Sequence, residues 1–152
     1  MANSDNTASI PRAPFWLGAF GLIPFIASLL LYFFARTSEQ QQLSLNAFKF
    51  YSAVILSFLG GVRWGAALSS PDLRLLLSAV LPSLIAAGCL LLPAAEAIPI
   101  LGLTFLVLGW ADGARAAHAL WPQWFKLLRW LLSTVVVAMH LIVYAASQGL
   151  LG

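Results

Sequence analysis

Charge is what this sequence has least of. Eight basic and five acidic side chains make up 9% of its 152 residues, against 61% hydrophobic ones and a mean hydropathy of +0.91. A soluble domain uses roughly a quarter of its residues as charge to cover its surface. A water-facing globule is therefore excluded, and the apolar material must face lipid. Cysteine is nearly absent too. Cys89 is the single one, which excludes an internal disulfide and any zinc or iron–sulfur site built from cysteines of this chain. Set among Gly88, Leu90 and Leu91, it reads as a small buried hydrophobe. The two histidines lie at different depths, His118 in a linker and His140 well inside the last apolar run, so they cannot flank one haem. There is no Ser/His/Asp arrangement, no HExxH, no P-loop and no pair of intramembrane carboxylates. Nothing names a reaction, and no cofactor or metal is expected. The surplus of three positive charges is scattered over loops, which points to membrane topology and not to nucleic acid.

Long apolar runs are what is present. A helix needs about 20 residues to cross a hydrocarbon core about 30 Å thick, and five runs qualify: residues 15–35, 45–69, 73–92, 97–112 and 127–147. Each is continuously apolar, unlike barrel strands, which alternate. The expected fold is an all-α bundle of five transmembrane helices, one domain over 15–152 behind a flexible polar tail, 1–14. The first run is too long for a signal-peptide core, only Arg12 precedes it, and no cleavage site follows, so it reads as an uncleaved anchor. Ser70-Pro71-Asp72, Pro93 to Glu96, and a linker over 113–126 holding Trp121, Pro122 and Trp124 separate the later runs. Pro82 is expected to kink the third. Arg12, Arg74, Arg115, Lys126 and Arg129 fall on one side of the membrane and Arg36 and Lys49 on the other. That bias puts the N-terminus in the cytoplasm and the C-terminus outside. The membrane is expected to be the bacterial inner one, or the mitochondrial inner one with the first side as matrix. No internal repeat is evident, and an odd number of spans does not divide into halves, which weakens a transporter reading.

Within the spans, three groups of residues stand out. Ala53, Ser57, Gly61 and Gly65 recur every four residues, with Gly60 beside them. Such a row lets another helix approach closely, either a span of this chain or a partner protein. Arg63 sits about 200° round from Gly61 and is costly at that depth unless it reaches the interface or finds an acid. Asp112, ending the fourth run on the same side, is the natural partner, with Arg115 competing for it. The last run carries a polar stripe of Arg129, Ser133, His140, Tyr144 and Ser147. Trp121, Trp124 and Trp130 read as interfacial anchors, and Glu96 as a carboxylate complementing a helix N-terminus.

The segments Leu17-Gly18, Gly21 to Phe25, Tyr51, Leu56 to Gly65 (with its SFLGGVRWG block), Leu81 to Leu84 and Trp110-Ala111-Asp112 resemble the family grouped under domain of unknown function 3429. The resemblance covers nearly all of the chain after the tail. It implies a five-span protein of the bacterial or mitochondrial inner membrane and brings no activity with it. The functional expectation is a non-catalytic accessory, assembly or stabilising subunit of a larger membrane complex, a respiratory one among the candidates, docked through the glycine-rich helix face. The alternative is a protein that binds a quinone or lipid, or passes a solute, through a pocket near Arg63, Asp112 or His140.

Overall fold

The computed structural model describes residues 9–68, 72–113 and 121–150. Six helices follow in order: α1 (Arg12–Phe20), α2 (Ile23–Phe33), α3 (Ser38–Ala67), α4 (Leu73–Leu90), α5 (Ala94–Gly113) and α6 (Gln123–Ser147). With α1 and α2 taken as one crossing, five segments are long and apolar enough to span a membrane. The chain is a multi-pass membrane protein.

The helix starts depart from the apolar runs for local reasons. α1 begins at Arg12, inside the expected tail, and breaks at Gly21-Leu22. Pro24, near the start of α2, has no N–H for the Phe20 carbonyl and its ring crowds that oxygen, which favours the joint here; Pro82 and Pro99 sit inside α4 and α5 without ending them. α3 starts at Ser38, well before its apolar stretch. The Thr37 side chain accepts from the Gln40 N–H at 3.2 Å, and Gln40 Oε1 accepts from the Arg36 N–H at 2.8 Å. This reciprocal cap stabilises a helix start by about 1 kcal/mol whatever the hydropathy of the turn that follows. At 1.5 Å per residue the 30 residues of α3 measure about 45 Å, so its polar first turns extend beyond the hydrocarbon.

Successive spans run antiparallel: Lys49, early in α3, meets the end of α4, while Arg63, late in α3, meets Ser78 near the start of α4. Phe25, Phe48, Leu56, Ile98, Leu101, Phe105 and Val143 form the centre, drawn from α2, α3, α5 and α6. α3 and α5 are its most enclosed members, and the first span is the outermost: only 11% of its apolar window is buried. Ser28, Ser44, Ser52, Thr104 and Thr134 each donate to the carbonyl four residues back at 2.7–2.9 Å. Their hydroxyls thus need no water.

The helices close on each other through glycines other than those of the expected row. α3 and α4 share the most extensive interface. Its closest point is Gly60, where an added Cβ would lie 2.6 Å from the Ala79 carbonyl oxygen and 2.7 Å from Ser83 Oγ. α5 meets α6 at Gly102 and Gly109, where a Cβ would come within 2.9 Å of His140 Cβ and 2.7 Å of Ser133 Cβ. Of the expected row, Ala53 is buried, but Ser57, Gly61 and Gly65 are exposed, with nothing within 4 Å of a Cβ built at either glycine. The row is thus not the seam on which this chain packs. Gly60 is one residue, about 100°, round the helix, and that rotation turns Gly61 away from α4.

Candidate functional site

The buried polar groups fall into three sets, and α6 supplies two of them. Its inward face runs Arg129, Ser133, Val136, His140, Val143, a spacing of four, three, four and three that keeps one stripe toward the core. Tyr144 does not belong to it. The stripe passes through Val143, and Tyr144, one residue on, is turned outward and is 36% exposed. Ser147 bonds back to the Tyr144 carbonyl.

The first set lies where α3 and α5 end and α6 begins. Asp112 is 2% exposed and accepts from two arginines: Arg63 Nη1 on Oδ1, and Arg129 Nε on Oδ2 at 3.0 Å. Arg63 Nη2 also reaches Ser78 Oγ at 3.3 Å, and that hydroxyl donates to the Leu75 carbonyl at 2.7 Å. One carboxylate therefore ties together α3, α5 and α6, and α4 joins through Ser78. Helix lengths set the meeting point. Arg63 is four residues from the end of α3 and Arg129 six residues into α6, about 6 and 9 Å from the helix ends. Arg63 is turned inward to the acid and does not reach out to the interface. Arg115, the competing partner, lies outside the described residues, as does His118. Arg129, expected at the start of the last span and on its polar stripe, faces inward there and is the second partner of Asp112.

The cluster holds two guanidinium groups and one carboxylate, a surplus of one positive charge. Arg129 is 7% exposed, and its Nη2 has no partner among the described residues. Ser133 Oγ, one turn along the same face, has none either. Both residues line a cavity of about 160 Å³ beneath the joint of α1 and α2.

The second set surrounds His140, 2% exposed and packed edge-on or tilted against Phe25, Phe48 and Phe105. Nδ1 lies 2.8 Å from the Val136 carbonyl, which can only accept, so that nitrogen carries the hydrogen. Nε2 then faces the Ser52 hydroxyl at 3.1 Å, whose one proton is divided between Nε2 and the Phe48 carbonyl at 2.7 Å. Both ring nitrogens are engaged, and the ring sits in an aromatic cage with no acid beside it. It packs α6 onto α3.

The third set is Lys49 at the opposite end of the bundle. It is counted by sequence among the basic residues that mark one side of the membrane, but it is a mid-helix residue of α3 and 5% exposed. Its Nζ donates to the Leu92 carbonyl at 2.8 Å and the Leu90 carbonyl at 3.4 Å. These are carbonyls that the end of α4 leaves without helical partners, at the negative end of its dipole. Tyr51, half a turn on, donates to the Gly21 carbonyl at 2.8 Å and so fastens the break between α1 and α2.

No solved structure matches the chain. Among curated proteins, Transmembrane protein 69 of Xenopus tropicalis is 33% identical over 141 residues, which is 84% of this chain and 51% of the relative. The chain thus spans about half the length of that relative. Residues 10–145, including all three polar sets, match the model of one family, and the chain belongs to it: the family described as Protein of unknown function (DUF3429).

Proposed function

We propose that the protein is a non-catalytic accessory or stabilising subunit of a larger inner-membrane complex, docked through the outer face of α3. The observation that carries this is the division of labour among small residues. Gly60, Gly102 and Gly109 are used up where the chain packs on itself, whereas Ser57, Gly61 and Gly65 form an exposed row that none of the described residues covers. Lipid chains do not require such a row, while a helix backbone approaching closely does. The polar groups support the same reading. Asp112, Lys49 and His140 spend their hydrogen bonds on joining helices, which is structural work.

Mild-detergent copurification with mass spectrometry tests it. A stoichiometric protein partner should be retained by the parent chain and lost with Gly61→Leu, while the variant keeps its own helical content and melting temperature. A parent chain that purifies without any stoichiometric partner sinks the reading. In orientation, the exposed basic groups Arg12 and Arg74 lie on the side where α1 begins, and Arg36 on the other. The positive-inside bias supports a cytoplasmic N-terminus in a bacterial inner membrane. Single cysteines at Ser4 and Gln148 should label from opposite sides of the membrane.

A further inference from the structure

The cavity beneath the α1–α2 joint has walls of hydrocarbon, from Gly18 and Leu22 of the first span, Phe58 and Leu59 of α3 and Phe105 of α5, except along α6. There it meets two polar side chains one turn apart, Arg129 and Ser133. Each has a buried polar atom, Nη2 and Oγ respectively, with no hydrogen-bond partner among the described residues. Ser28, Ser44 and Ser52 all bond back into their own helices, so Ser133 is the exception. An unsatisfied buried donor is costly, and more so when it is charged. A surplus cation at this depth adds to that cost, because charges inside a bilayer are stabilised by pairing. Two arginines on one acid leave such a surplus beside the cavity.

We propose that this cavity binds a single-chain amphiphile with a carboxylate head, a fatty acid. Both atoms are fully covered in this structure, so each side chain turns toward the cavity for the carboxylate to accept from Arg129 Nη2 and from the Ser133 hydroxyl, and its charge balances the second arginine. The acyl chain follows the apolar wall of Leu22, Phe25 and Phe58 and leaves through the open side of the cavity into the bilayer. Size and charge select the head together. A cavity of about 150 Å³ holds a benzene-sized molecule, so 160 Å³ takes a carboxylate and the first few methylenes, and a glycerophosphate head is too large. A quinone ring would fit by size but brings no charge to offset the surplus. The cavity touches α3 at Ile55, Phe58 and Leu59, beside the row of Ser57, Gly61 and Gly65, but both groups that hold the carboxylate are on α6.

The test is equilibrium dialysis of radiolabelled palmitate against the full chain, purified and delipidated in mild detergent. One palmitate per chain is expected, with methyl palmitate, which has the same chain and no charge, at least about tenfold weaker. Arg129→Gln should weaken palmitate by about tenfold or more. Because that change also removes a partner of Asp112 and so bears on folding, Ser133→Ala is the second variant. It leaves both salt bridges intact and should weaken palmitate several-fold with no loss of thermal stability. Equal binding of acid and ester, or Ser133→Ala binding as tightly as the parent, overturns the proposal. Displacement of palmitate by a short-chain quinone or by phosphatidylglycerol at lower concentration than unlabelled palmitate overturns it as well.

Discussion

The two ends of the bundle bury cations in opposite ways. At the end where α3 and α5 finish, Arg63 and Arg129 are held by a full charge, Asp112. At the other end Lys49 is held by neutral groups, the carbonyls of Leu90 and Leu92 with the Phe50 ring beside its Nζ. A carboxylate shared by two arginines is a joint between three helices, and its loss leaves two buried cations facing each other. A lysine on carbonyls is a plug in one helix terminus, and its loss leaves only acceptors that other donors or water can reach. Burial is similar at the two ends, yet the consequences of deletion differ. What a buried charge contributes depends on what is left behind when it goes.

Four substitutions sharpen or break that contrast. Asp112→Asn should have the largest effect, about 3–5 kcal/mol of destabilisation, read as loss of thermal stability in detergent and of folded yield. A loss below that of Lys49→Met would erase the distinction between the ends. Arg63→Met should cost less than Asp112→Asn, because the acid keeps Arg129. The double variant should recover part of the Asp112→Asn loss, since one of the two stranded cations is gone. Strictly additive losses in that cycle would mean that the two side chains are not coupled. Lys49→Met, which keeps the apolar stem and removes the ammonium, should cost about 1–3 kcal/mol, the range for hydrogen bonds from a charged group. Gly61→Ala, on the outer face of α3, should change the stability of the isolated chain by no more than about 0.5 kcal/mol. A larger loss would show that the face is already occupied within the chain.

How much of this could be read from the sequence varies by feature. The five spans were legible because hydropathy and length are nearly sufficient in lipid. Arg63 with Asp112 was legible as well, since both sit close to the same end of antiparallel helices. The partners of Arg129 and Lys49 were not. Both fall near the start of an apolar run, where a basic residue reads as a marker of membrane sidedness, and only the packing of α6 on α5 and of α3 on the end of α4 shows what each one binds. The choice between Gly60 and Gly61 was beyond periodicity, because small residues continue on both rows and the surface of α4 at Ala79 and Ser83 decides. The α5–α6 seam had a signal that was not used: Gly102 and Gly109 are seven apart, and so are the Ser133 and His140 that cover them.

The shared carboxylate also dictates an order of assembly. Arg63 emerges from the ribosome 49 residues before Asp112, and Arg129 only 17 residues after it. At a synthesis rate of about 5–20 residues per second, Arg63 waits roughly 2–10 s without its acid. In that interval α3 and α4 can pair through Gly60, and Ser78 of α4 can accept from the guanidinium, but its charge is not yet balanced. When α5 arrives, Asp112 draws Arg63 inward, and α6 then supplies the second arginine and locks the pair. A nascent chain stopped just before Asp112 should therefore hold a shallower α3 than the finished protein, so the last third of the sequence sets the final depth of a helix made well before it.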